Sequence, residues 1–66
     1  MKNPFVKVED PDGNVSFLNF DRVVEMREIV RNGKKVTALD VDGFAESQYV
    51  KTPIKEITYQ IMYNNN

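Results

Sequence analysis

Cysteine and histidine are both missing from this chain of 66 residues, and glycine and proline occur only three times each. Without cysteine no disulfide can brace the fold. Without histidine as well, a zinc ion would find only carboxylates as side-chain ligands, and general acid or base chemistry would fall to carboxylates or lysine. Charge of one sign is also lacking: nine basic and ten acidic residues leave a net charge of -1, so no global field steers the chain toward nucleic acid or anionic lipid. No apolar run approaches the length of a membrane span, and Met1-Lys2-Asn3-Pro4-Phe5 lacks the uninterrupted apolar segment of a signal peptide. These absences set the expectation of a cytoplasmic protein that needs neither cofactor nor metal.

Sixty-six residues make one small domain, placed at residues 1–63 with a disordered tail at 64–66. A chain of this size buries only about 60% of the surface its unfolded form exposes. With disulfides and zinc removed as supports, self-association or a protein partner is the remaining aid to stability.

What the sequence does have is turn punctuation: Asp10-Pro11-Asp12-Gly13-Asn14, Asn32-Gly33, Asp42-Gly43 and Thr52-Pro53. Phe5 to Glu9 and Val15 to Phe20 flank the first of these and read as a hairpin, with Pro11 presetting a turn dihedral and Gly13 free to turn left-handed. Asp21 to Arg31 has two readings. As a helix it would use Asn19 or Asp21 as N-cap and Gly33 as its stop. As a strand it enters a hairpin through Asn32-Gly33, the preferred pair for a two-residue type I′ turn. The strand is preferred, because a helix would reduce the Asn-Gly signal to a cap. Its register sets Arg31 opposite Lys34, Met26 opposite Leu39 and Val24 opposite Val41, which gathers four apolar side chains on one face. The other face sets Ile29 against Val36, Arg27 against Ala38 and Glu25 against Asp40.

Val36 to Val41 then turns through Asp42-Gly43 into a strand over Phe44 to Val50. Thr52 suits an N-cap and Pro53 the first helical position, so a helix is expected from about Pro53 to Tyr63 with Ile54, Ile57 and Ile61 as its buried stripe. Alternation of Ile57, Tyr59, Ile61 and Tyr63 keeps a strand open there. The fold class is α+β, mainly β: a strongly bent antiparallel sheet or small open barrel of about five short strands with a C-terminal helix.

Four constellations have chemistry to weigh. Asp10-x-Asp12-x-Asn14, with Asp21 near the closing position, has the spacing of a calcium loop, but Val15 stands where such a loop needs glycine, so a turn is the preferred reading. Glu25, Asp40 and Asp42 form a candidate carboxylate cluster, since like charges held close raise a pKa or recruit a cation; splayed, solvated side chains, a salt bridge from Arg27 or Arg22, or a different register are the structural alternatives. Arg31, Lys34 and Lys35 gather at the Asn32-Gly33 tip, where they could contact phosphates, with Phe5, Phe17, Phe20, Phe44 and Tyr49 as candidate stacking partners. Ser16 and Ser47 have no visible base to activate them, and no glycine-rich phosphate loop is present.

The order Val15-x-x-Leu18-Asn19-x-Asp21, an apolar stretch from Val24 to Ile29, Thr37-x-Leu39 before Gly43, then Val50 and Glu56-Ile57 resembles the small FlbD-like family of flagellar-operon proteins. The resemblance spans residues 15 to 61. It implies a strand, turn, strand, hairpin and C-terminal helix, no catalytic residue or cofactor, and an accessory, protein-binding role. An extra strand before Val15 and a longer Asn32-Gly33 hairpin depart from it, so only the architecture is carried over. The expected function is a non-enzymatic accessory or protein-interaction module, with a small nucleic-acid-binding regulator as the alternative.

Overall fold

The computed structural model of the chain describes residues 3–63; the expected tail at 64–66 lies outside the described residues. The elements are β1 (Phe5–Glu9), β2 (Val15–Asn19), a 3-10 turn (Phe20–Arg22), β3 (Val23–Arg31), β4 (Lys34–Val41), β5 (Gln48–Val50) and α1 (Ile54–Tyr63). The protein is therefore α+β and mainly β. Its strands divide into two antiparallel sheets, β1–β2 and β3–β4–β5, and no closed barrel forms.

The β3–β4 hairpin carries the register that its turn dictates. Asn32 and Gly33 both take positive φ, 53° and 77°, as a type I′ turn requires. Pairing then runs from Arg31↔Lys34 through Met26↔Leu39 to Glu25↔Asp40 without a slip. Beyond Glu25 it differs from the sequence expectation, because Val23 rather than Val24 stands opposite Val41. Val24 is the extra residue of a bulge and is 75% exposed. Chain entry into β3 explains the shift. The Asn19 side chain accepts from the Asp21 N–H, holding Phe20–Arg22 in a single 3-10 turn, and the Arg22 carbonyl accepts from the Asp42 N–H at 2.7 Å. One added residue lets Val23 turn into the core while Arg22 keeps that bond. The N-cap foreseen for a helix at Asn19 is thus used, on one turn only.

Leu39, at the centre of the middle strand, packs with Val6, Val8, Val41, Val50 and Ile57 as the buried core, and Leu18, Phe20, Val23, Met26 and Ile61 close around it. The opposite face of β4 is covered too: Ala38 is fully buried between its neighbours Arg27 on β3 and Tyr49 on β5. The expected strand from Phe44 is shorter than foreseen, since only Gln48–Val50 pair with β4 and residues 44–47 form a loop.

The helix begins at Ile54, and the Pro53 carbonyl accepts its first bonds from Glu56 and Ile57. Thr52 does not cap it. Its hydroxyl instead accepts from the Glu9 N–H at 2.8 Å, and the Thr52 carbonyl accepts from the Thr37 hydroxyl at 2.7 Å. The β1 edge facing away from β2 is satisfied in the same manner. The Gln60 carboxamide accepts from the Lys7 N–H at 2.8 Å and donates to the Lys7 carbonyl at 2.9 Å, as a neighbouring strand would. The Lys51 N–H donates to the Glu9 carbonyl. A helix over this segment, rather than the alternating strand, is what lets one glutamine stand in for a strand. Among the described residues no helix is long and apolar enough to cross a membrane.

Candidate functional site

The strand register brings Glu25 and Asp40 face to face, and a cation from the same face resolves the repulsion. One Arg27 guanidinium nitrogen lies 2.7 Å from Asp40 Oδ2 and 3.3 Å from Glu25 Oε2. Ser47, from the loop before β5, donates its hydroxyl to Asp40 Oδ1. The Arg27 hydrogen bond, and after it the Ser47 hydroxyl, hold the Asp40 carboxyl below its ordinary value, while Asp40 and then Glu25 raise the Arg27 guanidinium. Asp42 lies beyond this group in the Asp42–Gly43 turn and is exposed. No three acidic side chains among the described residues are grouped to hold a metal ion. Ser47 meets a carboxylate that the sequence could not assign to it, but a carboxylate stabilised by a guanidinium is a weakened base and a poor activator of a hydroxyl. The group therefore ties β3 to β4 and to the loop before β5.

This pairing fixes the sign of an Asp40→Asn substitution. Uncompensated repulsion would make the variant more stable; with Arg27 and Ser47 as partners it is expected to be less stable at neutral pH. A carboxyl with a lowered folded-state pKa contributes stability that is present above the unfolded value and is lost as pH falls through the folded value. Urea unfolding of the two proteins should thus differ at pH 7 and converge below the ordinary carboxyl value of 3.8. A difference that is constant over that range would remove the ionised Asp40 carboxylate as its source.

Asp10 shows why the calcium spacing is a turn. Its Oδ1 accepts from the Asp12 and Asn14 N–H groups, each at 2.9 Å, and its Oδ2 from the Asn14 amide at 3.3 Å. These donors, the Asn14 N–H foremost, lower the Asp10 pKa. The carboxylate is occupied with the loop's own amides, and Gly13 at φ 93° supplies the left-handed residue.

Arg31, Lys34 and Lys35 do come together at the β3–β4 tip, all exposed. The Arg31 guanidinium lies over the Tyr49 ring, 3.9 Å from its centroid. Lys51, which the sequence did not nominate, joins them around one cleft. Its approach depends on the β4–β5 register, and the unpaired residues 44–47 hide that register from a reading of the sequence. The candidate stacking aromatics scatter: Phe20 packs on the core, while Phe5, Phe17 and Phe44 are exposed.

Phe17 marks a second feature missed by the sequence. Phe5, Lys7 and Glu9 of β1 lie opposite Asn19, Phe17 and Val15 of β2, and this outward face of the hairpin exposes Phe5, Val15 and Phe17 at 50–67%. The signal lay in the alternation Val15-x-Phe17, which carries as much apolar character on the outer face as the inner Leu18 does on its own. On α1, Tyr59 and Tyr63 stack with ring centroids 4.6 Å apart, and Tyr59 and Met62 are more than half exposed.

No family model, curated protein or solved structure matches this chain.

Proposed function

We propose that the chain is a non-enzymatic interaction module that associates with a second copy of itself through the free edge of β2. The carrying observation is how differently the strand edges are protected. The β1 edge is covered by Gln60, Thr52 and Lys51. The free β3 edge is long but bears Glu25, Arg27, Glu28 and Arg31 and a bulge, features that discourage edge pairing. β2, Val-Ser-Phe-Leu-Asn, has no charge, no proline and no bulge. Its backbone groups facing away from β1 have no hydrogen-bond partner among the described residues.

Antiparallel pairing of two β2 strands about a two-fold axis at Phe17 would place Phe17 beside its copy and continue the outward face of Phe5 and Val15 across both hairpins. A small chain with no disulfide gains from such burial what its own core cannot supply. Multi-angle light scattering from micromolar to millimolar protein is expected to show a concentration-dependent dimer. Phe17→Lys, a charge on an exposed edge position, should give monomer throughout with unchanged far-ultraviolet circular dichroism. A wild-type monomer at every concentration would remove this reading.

A further inference from the structure

The Asp10–Asn14 turn, the Asn32–Gly33 turn and Lys51 border a solvent-open cleft of about 390 Å³. Its walls carry four cations, Arg31, Lys34, Lys35 and Lys51, against one carboxylate, Asp12, with Asn32 beside them. Two of the cations are unengaged: Lys34 and Lys35 make no ion pair or side-chain hydrogen bond among the described residues. Lys51 lies 3.5 Å from Glu9, but both side chains are about half exposed, and pairs of that kind contribute about 0–1 kcal/mol. That bond is weak enough to be exchanged for a stronger anion. Arg31 is steadied by the Tyr49 ring while its N–H edges stay available to donate.

We infer that this cleft binds single-stranded nucleic acid through the phosphates of its backbone. The ligand class follows from the lining. Three lysines and an arginine are point-charge and fork donors suited to phosphate, and the cleft walls contain no aromatic ring to read or stack a base, so contacts are independent of sequence. The volume is in the range of pockets that hold small ligands, about 300–1,000 Å³, and the open side lets a strand pass through. Charge elsewhere decides between a strand and a broad anionic surface. Outside the cleft the chain has five basic and nine acidic residues, a remainder of −4. A duplex or a membrane covers more of the surface than a single strand does, and so meets more of that acidic remainder.

The test is an NMR titration of isotopically labelled full-length protein with a short oligothymidylate at low salt, alongside the same length of duplex, thymidine monophosphate and inorganic phosphate. Amide shifts are expected at residues 10–14, 31–36 and 51–53, with the oligonucleotide binding tightest. Fluorescence anisotropy should show log K falling against log salt with a slope of about −2 to −3 for three or four phosphate contacts at about −0.7 each. Lys34→Gln and Lys35→Gln, both at exposed positions without partners, should each weaken binding and flatten that slope by about 0.7. Asp12→Asn should tighten binding, which a purely structural role would not produce. No shifts at low salt, a salt slope unchanged in the lysine variants, tighter binding of duplex, or a response to inorganic phosphate equal to that of the oligonucleotide would each overturn the inference. None of these readouts depends on the β2 edge, since Phe17→Lys should bind the oligonucleotide as the wild type does.

Discussion

Leu39→Ala is expected to bring this protein to the limit of folding. The Leu39 side chain is 1% exposed and stands where all parts of the fold meet: Val6 and Val8 from β1, Val41 and Val50 from β4 and β5, and Ile57 from α1 share its cluster. Removing a buried leucine costs the lost transfer energy and leaves a cavity, together about 2–5 kcal/mol. Domain stabilities of about 0.05–0.15 kcal/mol per residue put the whole reserve of such a chain at about 3–10 kcal/mol. The variant should lose most of its cooperative urea transition and its NMR dispersion. Val24→Ala is the companion measurement. Opposite Val41, where the turn register alone would put it, Val24 would be a core residue and its loss costly. In the bulge it is 75% exposed, and the expected change is within about 0.5 kcal/mol. A small loss at Leu39 or a large one at Val24 would contradict the packing.

Those two residues also mark where the sequence is legible. Asn32-Gly33 reads out seven residues of β3 correctly, Glu25 to Arg31, because a two-residue turn leaves no freedom in the pairing that follows it. The reading stops at Val24 because the bulge answers to a different constraint: Arg22, held in its 3-10 turn, must reach Asp42. That bond joins residues twenty positions apart in the chain, and no local pattern encodes it. The same limit applies to the candidate sites. Glu25 and Asp40 were legible as neighbours, since register alone sets them opposite. Arg27 is legible only as one of two candidate arginines beside Arg22, because β3 and β4 pair it with Ala38 and its length carries it diagonally to Asp40. Gln60 is a further case. Nothing in Tyr59-Gln60-Ile61 announces a side chain that completes a sheet, yet it occupies both free backbone groups of Lys7.

Thr52→Val should be costly out of proportion to the atoms it changes. Valine keeps the volume and shape of threonine, and Thr52 is only 6% exposed, so packing is nearly conserved. What disappears is the acceptor for the Glu9 N–H, the bond that holds the end of β1 to the β5–α1 junction. A donor stranded without a partner costs about 1–3 kcal/mol. Thr52→Ser retains the hydroxyl and should recover most of that loss, apart from a methyl group, which separates the hydrogen bond from packing. Thr37→Val probes the other side of the same junction: Thr37 is 2% exposed and donates to the Thr52 carbonyl, so its replacement strands a buried acceptor rather than a donor. The two bonds use different atoms of one residue, its hydroxyl and its carbonyl. Their losses in urea unfolding should each fall near 1–3 kcal/mol, and in the double variant they should sum to less than the two added, because the first loosens the junction that makes the second bond worth keeping. Full additivity would mean that β1 and β4 are anchored to the junction independently, and Thr52 would then be two separate contacts rather than the point where the two sheets are joined.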